Sequence, residues 1–198
     1  MLEHRRVMAA MAAVPRKNFL PPSLRADAGR DEPLPIGYGA TNSQPWTVRF
    51  MLELLHVEPG NKVLDVGAGS GWTTALLAHL TGHTGAVVGV EIVPELVEQG
   101  RANTPPEFTW AHIEQADPHV LGSPSGEPYD RILVSADAGM IPVELEDQMA
   151  VGGRMVVPAD GVMWIIDRDH EGFHREPVFG YRFGFVPLVQ PAGRPSSA

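Results

Sequence analysis

Residues 63–73 read VLDVGAGSGWT: an apolar run holding one acid, then glycine at every second position, then an aromatic residue that opens another apolar stretch. Gly67, Gly69 and Gly71 fall at a strand-to-helix turn. Without side chains there, a ligand can approach backbone N–H groups at the start of a helix. The nicotinamide and flavin fingerprint needs a small residue at position 72, so that helix and strand pack closely. Trp72 stands there, and a dinucleotide is disfavoured.

Two acids flank this turn. Asp65 precedes the first glycine by two residues, and Glu91 ends the next apolar run, AVVGVE at 86–91. An acid at the carboxyl edge of a nucleoside-binding sheet accepts hydrogen bonds from both ribose hydroxyls, the role expected of Glu91. Asp65 would face a cationic ligand group. A nucleoside carrying an ammonium and a sulfonium, S-adenosylmethionine, satisfies both carboxylates better than a phosphate ligand does. The plainer alternative is that Asp65 caps the turn and Glu91 is solvated, which leaves unexplained why both sit at one edge of adjacent strands.

On either side of this turn, strand and helix patterns alternate. KVLDV (62–66) reads as a strand, WTTALLAHL (72–80) as a helix, AVVGVE as a strand, and PELVEQGRAN (94–103) as a helix with proline at its start. FTWAHI (108–113), RILVSA (131–136) and RMVVP (154–158) continue as strands, with VELEDQMA (143–150) as a helix between the last two. The strands are nearly continuous apolar runs, as when helices cover both faces of a parallel sheet. GVMWIIDR, the turn DHEG and FHREPVFGYRF then suggest an antiparallel hairpin closing the sheet. Upstream, Val48, Met51, Leu52 and Leu55 recur at helical spacing after Pro45. Residues 15–44 are rich in Pro and Gly and read as an irregular segment packed on the domain or folded over a site. The class is α/β: one domain over residues 1–189, with residues 1–44 as an N-terminal helix and substrate-covering segment and 190–198 as a flexible tail.

Composition narrows the chemistry. The 198 residues include no cysteine, which removes disulfides, thiol catalysis and thiolate metal sites and fits a reducing cytoplasm. A net charge of -9 repels polyphosphate and disfavours nucleic-acid or anionic-membrane binding. No apolar run approaches a membrane span. HRRVMAAMAAV has the basic head and apolar body of a secretory signal, but a helix ending at Val14-Pro15 accounts for the same residues, and the basic Arg16-Lys17 that follows is not a usual mature start.

With these segments in order, the chain resembles the protein-L-isoaspartate O-methyltransferase family over nearly its full length. VPRKNFLPPSLR, DEPLPIGYGATNSQP, VLDVGAGSGWTTALLA, VVGVEIVPELVEQGRAN, PYDRILVSADAGMIPVEL, VGGRMVVP and FVPL carry the resemblance. It implies a Rossmann-like class I methyltransferase with a mostly parallel seven-stranded sheet. It also implies Gly67, Gly69, Ser70, Gly71 and Glu91 on S-adenosylmethionine, Asp117 of QADPH near the adenine amino group, and Ser43 in the methyl-transfer site. The substrate would be an isoaspartyl residue of a protein or peptide, whose ester closes to a succinimide and reopens partly as normal aspartyl. A carboxylate is already ionised near neutral pH, so the transfer needs positioning rather than a strong base. Thr41 and Ser43 are the expected donors.

Where the family usually has His-Gly-Gln-Thr-Ile-Ser, this chain has Tyr38-Gly39-Ala40-Thr41-Asn42-Ser43; Asp137 interrupts an Ala-rich segment, and Ala116 replaces a glycine before Asp117. A carboxylate at Asp137 would repel an anionic substrate if it entered the pocket. The changed loop leaves open a dedicated aspartyl peptide as substrate, as in peptide maturation, and an adaptor that binds the cofactor without turnover. Metal readings are weaker. HEGFH (170–174) matches a zinc-protease string that works only on a helix, and its flanks read as strands. His79 and His83 fall at a helix end. Asp137 and Asp160 follow strands as in metal-dependent methyltransferases, but Ser135 stands where those have an acid.

Overall fold

The computed structural model describes residues 1–189, so the tail assigned to 190–198 lies outside the described residues. Helix α1 (Leu2–Ala13) ends where Pro15 approaches, its Val7 and Ala10 buried. Residues 16–27 form two short 3-10 helices, and the segment expected to be irregular then makes a small antiparallel hairpin, β1 (Leu34–Gly37) with β2 (Ala40–Asn42). Three successive residues with positive φ turn it: Gly37 (95°), Tyr38 (54°) and Gly39 (76°). Helix α2 (Pro45–Leu55) buries the stripe its spacing predicts, Val48, Met51, Leu52 and Leu55.

Then β3 (Lys62–Val66), α3 (Trp72–Thr81), β4 (Ala86–Glu91) and α4 (Pro94–Asn103) follow the sequence reading closely. β5 (Ala111–Gln115) begins three residues later than FTWAHI suggested, because a turn closes there, the Ala111 N–H donating to the Phe108 carbonyl at 2.9 Å, while Trp110 packs against the core and donates its indole N–H to the Ala78 carbonyl of α3 at 2.9 Å. β6 (Tyr129–Val134) precedes α5 (Val143–Glu146), a single turn rather than the longer helix expected at 143–150. Tertiary pairing wins there: the Tyr129 N–H donates to the Gln148 carbonyl, and Met149 pairs with Tyr129. That contact starts β7 (Met149–Ala159) early. β8 (Val162–Arg168) and β9 (Phe173–Val178) supply the antiparallel end of the sheet.

The seven-stranded sheet has the order β5-β4-β3-β6-β7-β8-β9, parallel from β5 through β7 and antiparallel beyond. Alternate residues face opposite layers. Val63, Val87, Leu133 and Val156 join α1, α2 and α3 in one core, while Leu64, Val88, Ile132 and Val157 join Leu145 and Met149 in the other. Each such side chain contributes about 1.5–3 kcal/mol of apolar burial. The chain runs one way from β3 to β5 and the other from β3 to β6 and β7. The carboxyl ends of β3, β4 and β6 therefore border the crevice where open α/β sheets bind ligands.

Candidate active site

Three cavities meet at that crevice. The largest, about 260 Å³, is a cleft bounded by Gly67 and Gly69 after β3, Glu91 after β4, Asp117 after β5, and Ser135 after β6. Tyr38 to Thr41 of the hairpin and Val186 to Val189 close its sides. A second chamber of about 100 Å³ is lined by Thr41, Ser43, Gln44, Thr47, Ser135 and Arg182, with aromatic Trp46 and Phe183. A third, of about 30 Å³, runs from Asn42 and Ser43 to Ser70 and Thr73. Thr41 and Ser135 line all three.

Glu91 is buried at 7 % exposure, and its two oxygens accept the N–H groups of Gly69 (2.9 Å) and Val93 (3.0 Å). The carboxylate is thereby fixed at the cleft wall with lone pairs left over for ligand hydroxyls. The N–H groups of Gly67 and Ala68 donate to the Val90 carbonyl, and that of Gly71 to Ala68. These loop amides turn inward. What Gly67 and Gly69 offer a ligand is chiefly room: a Cβ on Gly69 would meet Ile36 at 3.2 Å, and both hold positive φ. Gly71 lines none of the three cavities. Its φ is 90°, and an added Cβ would lie 3.0 Å from the Gly100 carbonyl, so this glycine lets α4 pack against the loop. A cleft with an anchored carboxylate at one side, an apolar floor of Val66 and Val90, and Asp117 at the far end fits the ribose and base of an adenosyl group.

Asp65 departs from its expected place. It has no exposed surface and lines none of the three cavities; Thr73 and Thr74 each donate to Oδ2 at 2.7 Å, and Ser135 to Oδ1 at 3.4 Å. Burial pushes its carboxyl up to about 6; the three hydroxyls oppose that rise, and the charge of Glu91 adds to it. Ser70 is likewise buried, its hydroxyl accepting from Asn42 Nδ2 at 3.2 Å, and it borders only the third cavity. Asp117 lines the cleft and accepts the His119 N–H at 2.8 Å. Ser43 lines the two smaller cavities but not the cleft.

The hairpin is held by a residue the sequence did not single out. Arg16, 5 % exposed, donates to Asn42 Oδ1 (2.8 Å) and to the carbonyls of Asn42 (2.9 Å), Ser43 (3.0 Å), Glu32 (2.8 Å), Arg30 (3.0 Å) and Ala28 (3.5 Å). Burial lowers its pKa, while Asp31 and Glu32 act the other way. Asn42 thus bridges Arg16 to Ser70 of the glycine loop. The change from the family's apolar residue serves this clamp.

Asp137 turns away from all three cavities. Its Oδ1 accepts the N–H groups of Gly139 (2.8 Å) and Asp160 (3.1 Å), and its backbone pairs with Val186 and Leu188. It therefore fastens FVPL along the cleft. Ser135, Arg182 and Val186 were missed as site residues; for Ser135 the signal was its position just past a parallel strand. HEGFH lies at the β8–β9 turn and the start of β9, where His174 pairs with Asp169 at 2.8 Å. His79 and His83 pack edge-on against Phe108 and Trp110.

Residues 1–192 match the family model described as protein-L-isoaspartate(D-aspartate) O-methyltransferase. The chain is 44% identical over 196 residues to the protein-L-isoaspartate O-methyltransferase of Anaeromyxobacter dehalogenans strain 2CP-1, covering 95% of this chain and 91% of that one. It is 45% identical to the protein of the same name from Aeropyrum pernix, covering 93% and 73%. In structure it is similar, at a TM-score of 0.81 and 25% identity over 92% of this chain and 89% of the other, to a Plasmodium falciparum protein of that name in complex with S-adenosyl-L-homocysteine.

Proposed function

Because the chain belongs to the protein-L-isoaspartate O-methyltransferase family, we propose that it esterifies the carboxylate of isoaspartyl residues in damaged proteins and peptides, with S-adenosylmethionine as its cofactor. The observation that carries the substrate side is the wall shared by the cleft and the chamber, formed by Thr41, Ser135 and Val186. A donor in the cleft and an acceptor in the chamber would meet across it.

The chamber suits an anion. Its lining residues include the hydroxyl-bearing Thr41, Ser43, Thr47 and Ser135, Gln44 and the exposed Arg182, and no acidic residue among the described ones. Thr41 and Ser43 hold the acceptor oxygen in line, Arg182 balances its charge, and Val186 with Phe183 and Phe185 limits water. On the cofactor side, Glu91 takes the ribose, Gly67 and Gly69 leave it room, and Asp117 reads the adenine edge. Ser70 and Gly71 support the loop from behind. Bound S-adenosylmethionine supplies an electrophilic methyl on a sulfonium. The acceptor is already ionised at neutral pH, so no residue need remove a proton.

Residues 1–189 act as one unit in this reading, and the cysteine-free chain suits a reducing cytoplasm. Among the described residues no helix is long and apolar enough to cross a membrane.

The test is incubation with methyl-labelled cofactor and a pair of peptides differing only in isoaspartyl or aspartyl linkage. A base-labile ester on the isoaspartyl peptide is expected. Label on the aspartyl peptide alone would move the protein to dedicated peptide methylation, and binding without label would make it an adaptor.

A further inference from the structure

Asp65 is a fully buried carboxylate that no described cation pairs with. Hydroxyls meet it from α3 (Thr73, Thr74) and from the end of β6 (Ser135), and the charged side chain whose field reaches it is another acid, Glu91 at the end of β4. Burying an ionised carboxylate without a counter-charge is costly. Its partner Ser135 belongs to the shared wall, together with Thr41 and Val186. A methyl that crosses this wall requires its sulfur beside it.

We propose that Asp65 and Ser135 form a charge sensor: the buried carboxylate is the counter-ion of the cofactor's sulfonium, and Ser135 relays it into the cleft. This rests on the cofactor reading above. With Asp65 ionised, the Ser135 proton is committed to Oδ1 and the hydroxyl's lone pairs face the wall. In the transfer, the carbon–sulfur bond breaks with its electron pair going to sulfur, and a lone pair of the substrate carboxylate forms the new oxygen–carbon bond. Sulfonium and carboxylate become thioether and ester, both neutral, and no proton moves. Asp65 then loses its counter-ion. Its charge weights binding toward the cationic cofactor and against the neutral product, relative to the same site without it. The field stabilises the bound cation more than the transition state in which that charge is fading, so its effect falls on affinity and exchange rather than on the chemical step.

Calorimetric titration of the intact protein tests this without turnover, using S-adenosylmethionine and S-adenosylhomocysteine in buffers of different ionisation enthalpy from pH 5 to 7.5. The two ligands share their amino-acid and adenosine groups, so the difference between them isolates the sulfonium. The cationic ligand is expected to release a fraction of a proton near pH 6 and to gain roughly tenfold in affinity relative to the neutral one across the range, the gain that follows by linkage when binding lowers the Asp65 carboxyl by about one unit. Asp65→Asn should abolish both effects. Ser135→Ala, which keeps both threonine donors, should weaken them. Parallel pH dependence of the two ligands in the unaltered protein would overturn the proposal even if neither variant folds. Intact binding differences with no label on either peptide would instead refute the methyl-transfer reading alone.

Discussion

Replacing Arg16 by methionine keeps the length of the side chain and removes every donor. Six acceptors lose their partner. The Arg30 carbonyl lies in an exposed turn and regains water at once, and Ala28 accepts only a long 3.5 Å contact. The loss concentrates on buried Asn42, which is approached twice, and on the Glu32 and Ser43 carbonyls. Hydrogen bonds from a charged donor are worth about 1.5–3 kcal/mol each, and part of that sum is returned because the guanidinium no longer has to be desolvated. A net loss of about 3 kcal/mol follows. With a urea slope of about 2 kcal/mol per molar, the unfolding midpoint should fall by roughly 1.5 M. The hairpin should loosen as well: amide exchange at residues 40–43 accelerates, and kcat/KM for an isoaspartyl peptide drops about 100-fold as Thr41 and Ser43 lose their placement. Arg16→Lys should recover less than half, since an ammonium cannot span the fan of carbonyls. A midpoint within about 0.3 M of the unaltered protein, with unchanged exchange at 40–43, would refute the clamp.

Gly71→Ala forces a Cβ to 3.0 Å from the Gly100 carbonyl at a φ of 90°, and should cost about 1–3 kcal/mol, read as a lower thermal midpoint with α4 loosened. Glu91→Gln leaves one acceptor oxygen where two N–H groups now bind. S-adenosylmethionine affinity should fall by about 10- to 100-fold in a calorimetric titration, while the fold is retained. The Asp65 carboxyl stands at about 6 in the folded protein against an ordinary 3.8, so the native state holds this proton more tightly than the unfolded chain. Its contribution is full below 3.8 and is lost as the pH rises through 6, a change of about 3 kcal/mol. Asp65→Asn removes that slope, so denaturation at pH 4 and pH 7 should show the variant gaining on the unaltered protein at the higher pH.

The sheet was legible because its parallel strands are buried on both faces and read as apolar runs, and because Pro94 and the three glycines mark the turns around them. The bounds of β3, β4 and α4 follow the pattern directly. The short α5 was not legible: propensity at 143–150 favours helix, and only the distant partner Tyr129 draws Met149 into a strand. Glycine spacing located the loop but not the division of work within it, since Gly71 faces α4 and Gly67 faces the cleft. The same limit applies to the polar residues. Glu91 and Thr41 border the cleft, whereas Asp65 and Asn42 are turned inward by Thr73, Thr74 and Arg16, partners that lie 8 to 26 residues away. Nothing in the local sequence fixes that direction.

Repair itself is followed by chromatography of an isoaspartyl peptide during prolonged incubation with the protein and S-adenosylmethionine. The isoaspartyl form is expected to decline while its normal aspartyl twin accumulates, at a rate that vanishes without cofactor and falls steeply in Arg16→Met. An isoaspartyl peptide recovered unchanged, with the cofactor unconsumed, would contradict it.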